Sequence, residues 1–176
     1  VSSTAHLKII PLLFGINDPG SSFSAIIQLG SIFAIFWYFR KNIFNLYKTK
    51  TNRNYMIFFP NKLYKSILIG TIPIAFVGAV IKFLVPGFSN SILRSNFSIA
   101  VISILMSLIM LYADSSTNKF INIRNHNYIN SLYIGLAQSF AIIPGVSRSG
   151  VTISTALLSG WEREEATKFS FLLGIP

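Results

Sequence analysis

Two short stretches collect groups that could handle a phosphorylated substrate: PGVSRSGVT at 144–152 and VSSTAHL at 1–7. In the first, Arg148 lies between Ser147 and Ser149, with Thr152 four residues on. A guanidinium offers five donors in a planar fork suited to phosphate, and hydroxyls add further donors. Pro144 stops a preceding helix, Gly145 permits a tight turn, and Gly150 lets backbone approach closely before the apolar run resumes. Backbone N–H groups at a helix start beyond this loop would also favour an anion. In the second stretch Ser2, Ser3 and Thr4 precede His6. A histidine there could move a proton near neutral pH, and a serine could attack phosphorus or hold a phosphate oxygen. A lone arginine beside an apolar segment is often only an interfacial anchor, and a lone histidine is usually structural. The surrounding serines and glycines favour the chemical reading of Arg148, and for His6 only a pairing with the arginine loop through an internal repeat does so.

The elements that must position these residues are apolar. Of 176 residues, 52% are hydrophobic and 11% charged, with 16 Phe, against roughly 25% charged in a soluble domain. Mean hydropathy is +0.58. This composition predicts an all-α, polytopic membrane helical bundle forming a single integral membrane domain over 1–176. The net charge of +10 suits an anionic lipid surface or an anionic substrate, and the hydropathy argues against nucleic acid. With no cysteine, disulfides and thiolate metal sites are excluded. The chain opens at Val1 without an initiator methionine and closes at Pro176 inside an apolar run. The expectation is an interior piece of a longer protein.

Four segments approach the roughly 20 apolar residues that a spanning helix requires: 23–39, 66–85, 97–113 and the more polar 128–143. Pro73 predicts a kink in the second, and Lys82 is close enough to its end to snorkel. A short apolar piece at 151–159 and a helix start at 169–176 follow. The connection 40–65 carries Arg40, Lys41, Lys48, Lys50, Arg53, Lys62 and Lys65 without an acid, and basic loops stay in the cytoplasm. That assignment puts 86–96 outside and 114–127 inside. Segment 128–143 then runs outward, delivering the arginine loop to the external face. Glu162, Glu164 and Glu165 read as the solvated start of a helix, and Asp18 as turn chemistry.

A faint repeat runs through the chain. VSS at 1–3 echoes VSRS at 146–149, and FSAIIQLG at 23–30 echoes FSFLLGIP at 169–176. An offset of about 145 suggests two related halves. The parity of crossings leaves inverted and parallel repeats both open, and inverted repeats commonly place a site at their interface. The chain then divides into the start of a first repeat (1–39), a basic cytoplasmic loop (40–65), membrane helices (66–143), and the signature loop with the start of a second repeat (144–176).

With VSSTAHL, IIQLGSIFAIFWYFRK, PGVSRSGVTIS and EATKFSFLLGIP in this order and spacing, the sequence resembles the bacitracin-resistance family of undecaprenyl-diphosphate phosphatases. The resemblance covers nearly the whole chain, and PGxSRSxxT is a specific signature. Ala5 departs from the glycine usual in the first motif.

The resemblance implies a membrane hydrolase that converts undecaprenyl diphosphate to the monophosphate at the outer face of the bacterial inner membrane. This recycles the lipid carrier for peptidoglycan synthesis in cell wall biogenesis and confers bacitracin resistance. It implies inverted repeats with re-entrant loops that bring the two motifs together. By position, Arg148 would grip the diphosphate, with Gly145, Ser147, Ser149 and Thr152 around it and Ser2 and Thr4 as further phosphate ligands. Ser3 would be nucleophile or phosphate ligand, and His6 the proton-transfer partner. The family also has an acidic motif just upstream of VSST, implicated in dependence on a divalent cation, Mg2+ or Ca2+. Its ligands are not in this chain, and neither are the later helices of the second half, so the resemblance implies a fragment inactive by itself. The expected partners are a polyprenyl diphosphate lipid and the membrane, and a homodimer is compatible with both. The competing reading is a transporter or flippase that binds a polyprenyl phosphate without cleaving it.

Overall fold

A computed structural model of the chain describes residues 3–15, 20–48, 61–85, 88, 92–115 and 120–175. Seven α-helices follow in order: α1 (Ser3–Leu13), α2 (Gly20–Lys48), α3 (Asn61–Leu84), α4 (Asn96–Asp114), α5 (Tyr128–Gln138), α6 (Arg148–Leu158) and α7 (Arg163–Leu173). The described residues form no named strand, so the all-α expectation holds. The connection expected at 40–65 is helical at both ends, since α2 runs to Lys48 and α3 starts at Asn61. Residues 49–60 of that connection, like Ser2 and Asp18, lie outside the described residues.

Helices α3 and α4 are long and apolar enough to cross a membrane. On α4 the exposed side chains include Ile104, Leu105, Leu108 and Leu111, while Ile99, Met106 and Ala113 are buried. So continuous an apolar surface would be unstable in water and suits lipid. Ser95 caps α4, its Oγ accepting from the Ser98 backbone N–H at 3.2 Å. α3 runs through Pro73 without ending.

The expected fourth span, 128–143, is instead the first arm of a hairpin. α5 holds 11 residues, about 16 Å at 1.5 Å per residue, against roughly 30 Å of hydrocarbon. A 3-10 turn at Ser139–Ile142 follows, and Pro144 and Gly145 then reverse the chain. Gly145 has φ 97°, a conformation that side-chain-bearing residues rarely adopt. α6 returns along α5, and its far end bonds to the segment that precedes α5. The Gly160 carbonyl accepts from the Phe120 and Ile121 N–H groups at 3.0 and 2.9 Å, and the Glu162 N–H donates to the Ile121 carbonyl at 2.9 Å. The two ends of the hairpin therefore lie together.

Glycines allow the hairpin to lie against α3. A Cβ placed on Gly135 of α5 would stand 2.7 Å from the Gly70 Cα of α3, so the two backbones touch, as small residues permit in membrane bundles. The core gathers at the hairpin's open end, where Leu63, Ala113, Ile123, Ile134, Leu157, Trp161, Ala166 and Phe169 pack together. α7 starts there, with Glu164 and Glu165 in its first turn as expected. Arg163 pairs with Asp114 at the end of α4.

α1 and α6 each hold 11 residues, and their first residues (3 and 148), last residues (13 and 158) and following left-handed glycines (15 and 160) are each 145 positions apart.

Candidate phosphate site at the start of helix α6

Ser147 opens α6 as its N-cap, with extended backbone and its Oγ accepting the Gly150 N–H at 3.2 Å. That bond uses an oxygen lone pair and leaves the hydroxyl proton available, with Ser149 Oγ 3.4 Å away. Arg148 is the first residue of the helix and is exposed. Its Nη1 donates to the Gly174 carbonyl at 3.2 Å, just beyond α7. A side chain on Gly174 would collide with the guanidinium, so a glycine there is a condition for the arginine's placement. Among the described residues no carboxylate pairs with Arg148. One guanidinium bond goes to a neutral carbonyl, and the cation has no protein counterion there.

Arg148 lines a cavity of about 400 Å³, together with Ser147, Ser149, Ser170, Gly174 and the apolar Ile74, Ile142 and Val146. This size falls within the range of small-ligand sites. Cationic and hydroxylic groups meet apolar side chains on one surface, as an amphiphile with an anionic head would require.

The structure distributes the expected site residues unequally. Ser147, Arg148 and Ser149 reach the cavity wall. Gly145 is the buried turn, close to Ile99 and Ile102 of α4. Thr152 is fully buried one layer behind. Its Oγ1 donates to the Arg148 carbonyl at 2.9 Å, with the Ser149 carbonyl at 3.2 Å, and it lies 2.6 Å from Ser170 Oγ. Because that single proton goes to backbone, the Ser170 hydroxyl donates to Thr152. Ser170, which lines the cavity, carries no motif of its own. Its only signal in the sequence was the Phe-Ser echo.

Ser3, Thr4 and His6 belong to α1, which packs against α4, and α4 also packs against α6. His6 is exposed. The described lining of the cavity contains no α1 residue.

A divalent cation finds no support in these groups. Among the described residues no cluster of three His, Cys, Asp or Glu could hold a metal, and no carboxylate lines the cavity. Glu164 and Glu165 instead pair with Lys168, at 2.7 and 3.0 Å.

Beyond the other end of α6 is a polar group that sequence reasoning passed over. His126 is buried, its Nδ1 2.6 Å from the Ile123 carbonyl and its Nε2 2.7 Å from Ser66 Oγ of α3. In the neutral ring a donating Nδ1–H leaves Nε2 to accept from the serine, so both nitrogens are satisfied without charge. The ring packs against Trp161 at 5.3 Å and Phe169 at 6.0 Å between centroids. Burial holds its pKa below the ordinary histidine value, opposed by the Ile123 carbonyl and reinforced by Lys62.

The family model described as "Bacitracin resistance protein BacA" matches residues 1–176. The chain belongs to the BacA family. Among its curated relatives, the undecaprenyl-diphosphatase of Prochlorococcus marinus subsp. pastoris is 70% identical over 176 residues, all of this chain and 66% of the relative. That of Trichodesmium erythraeum is 48% identical over 181 residues, covering 57% of the relative. The chain thus spans just under two thirds of the length of the first of these relatives and less of the second. As a BacA-family chain with two helices of spanning length, it is a membrane protein.

Proposed function

We propose that the protein hydrolyses undecaprenyl diphosphate to undecaprenyl phosphate and inorganic phosphate in the bacterial inner membrane, with the site facing outward. This recycles the lipid carrier for peptidoglycan synthesis and confers resistance to bacitracin. The observation that carries the reading is Arg148, a cation without a carboxylate among the described residues, in a cavity shared with four serines and apolar side chains. Its relatives' name, undecaprenyl-diphosphatase, agrees.

In this reading the pyrophosphoryl head sits against Arg148, Ser147 and Ser149, and the prenyl tail leaves along the apolar wall toward lipid. VSSTAHL approaches from the first half, with Ser2 and Thr4 as phosphate ligands. Water, or Ser3 followed by water, attacks the terminal phosphorus. The bridging P–O bond breaks, and undecaprenyl phosphate departs with the electron pair. His6 takes the proton of the attacking group. Fixed donors in a partly dehydrated pocket stabilise the charge that develops on the phosphates. The α5–α6 hairpin enters and leaves from the cytoplasmic side, and its tip carries Arg148 toward the outer leaflet. This keeps the site outward-facing without a fourth crossing. A divalent cation would need ligands from outside the described residues.

The test is phosphate release from undecaprenyl diphosphate by the full-length protein, comparing wild type with Arg148→Ala and Ser3→Ala. Loss of release in both variants supports binding by the arginine and a direct part for the serine. Tight binding of the lipid without any release by the wild type would favour a carrier over a hydrolase.

A further inference from the structure

Gln28, Ser31, Ile32 and Ile35 of α2 line the same cavity as Arg148. Their spacing, i, i+3, i+4 and i+7, marks one helix face. The rest of this segment carries Ile26, Leu29, Phe33, Phe36 and Trp37, all exposed. An amide on so apolar a helix is costly against hydrocarbon and belongs toward a polar partner. Among the described residues Gln28 makes no hydrogen bond. Its two amide protons are therefore uncommitted on a wall that faces a cation and three hydroxyls.

The internal echo gives independent support. Gln28 is five residues past Phe23, and Gly174 is five residues past Phe169. Both equivalent positions line one cavity. In the second half that position is a glycine, where a side chain would meet the Arg148 guanidinium and shift it, and its carbonyl accepts from the guanidinium. In the first half it carries a long side chain ending in a neutral donor.

We propose that Gln28 is a headgroup-binding residue whose amide donates to a phosphate oxygen on the side of the pyrophosphoryl group away from Arg148. The proposal rests on the phosphatase reading and assigns it a source of specificity. In this arrangement the diphosphate engages both walls, whereas the monophosphate product engages the arginine wall alone. Gln28 thus favours substrate over product.

The experiment measures phosphate-release kinetics of the full-length protein carrying Gln28→Leu or Gln28→Glu, with Leu29→Ala as a lipid-facing control and Arg148→Ala alongside. Losing a hydrogen bond to a charged group corresponds to about tenfold to hundredfold in affinity. Gln28→Leu is expected to raise KM by about that factor with kcat held, and to leave inhibition by undecaprenyl phosphate unchanged. Gln28→Glu should raise KM further, because a carboxylate repels the substrate. An unchanged KM in Gln28→Leu while Arg148→Ala abolishes release would overturn this inference and leave the phosphatase reading standing. A fall in kcat at constant KM, or equal weakening of product inhibition, would also overturn it. Full activity in Arg148→Ala would remove both.

Discussion

The two ends of helix α6 are built on opposite principles. At its start a guanidinium lines an open cavity with one neutral carbonyl bond and no acid among the described residues. Past its end, Trp161, Phe169 and His126 are packed out of solvent, and both imidazole nitrogens have partners. One end holds charge without neutralising it, as a binding site must, and the other removes charge and fills space, as a core must. A short rigid helix joins the two, so the packed end sets the direction in which the open end points. Substitutions at the two ends should therefore separate stability from activity.

The largest effect expected on folding is from Trp161→Ala. Removing a fully buried indole from the core costs about 3–5 kcal/mol, to be seen as a large drop in the thermal unfolding midpoint in detergent. A drop of a degree or less would mean that the packed end does not hold the hairpin. Arg148→Ala is expected to leave that midpoint nearly unchanged and to lower phosphate release by about 10²–10³-fold, the scale of losing one donor to developing charge. Thr152→Val sits between the two ends. It keeps the shape but breaks the link to Ser170 and the Arg148 carbonyl, for about 1 kcal/mol of stability. A modest fall in activity should accompany it as Ser170 reorients. Unaltered activity would make Thr152 a purely structural tie.

The smallest effect concerns pH. His126 is neutral when folded and its pKa is held below 6.5 by burial. The unfolded chain binds that proton more readily, so stability is complete above about pH 6.5 and declines as pH falls from there toward the folded value. Glu165, which accepts the Ile123 N–H at 3.2 Å, and Lys62 are the charged groups nearby. Unfolding midpoints between pH 8 and pH 5 should slope downward for the wild type and flatten for His126→Gln. An identical slope in both would assign the dependence elsewhere.

The open end was the more legible in sequence. Pro144, Gly145 and the serines around Arg148 are local devices, and a stop, a reversal and an N-cap are set by adjacent residues. The cavity's other walls depend on tertiary approach. Ser170 and Gln28 sit inside apolar helices, where only the packing of α2 and α7 around the hairpin reveals which face is polar. The packed end was less legible still. His126 stands among Asn122, Arg124, Asn125 and Asn127 and reads as a solvated loop, yet the return of α6 buries it. The hairpin itself was hidden because an apolar run of 16 residues, 128–143, has the composition of a span and of one arm of a folded-back pair alike.

For the proposed hydrolysis, the α1 motif and the α6 loop, carried on two halves 145 residues apart, must close around one headgroup. With no cysteine among these 176 residues, spin labels can be placed at Leu7→Cys and Val151→Cys, one residue from His6 and three from Arg148, once any cysteine elsewhere in the full-length protein is replaced. Their separation in full-length protein in bilayers reads that closure without relying on activity. A single short distance is expected, narrowed further by undecaprenyl diphosphate. Labels held a bilayer's thickness apart, with or without the lipid, would rule out a shared site.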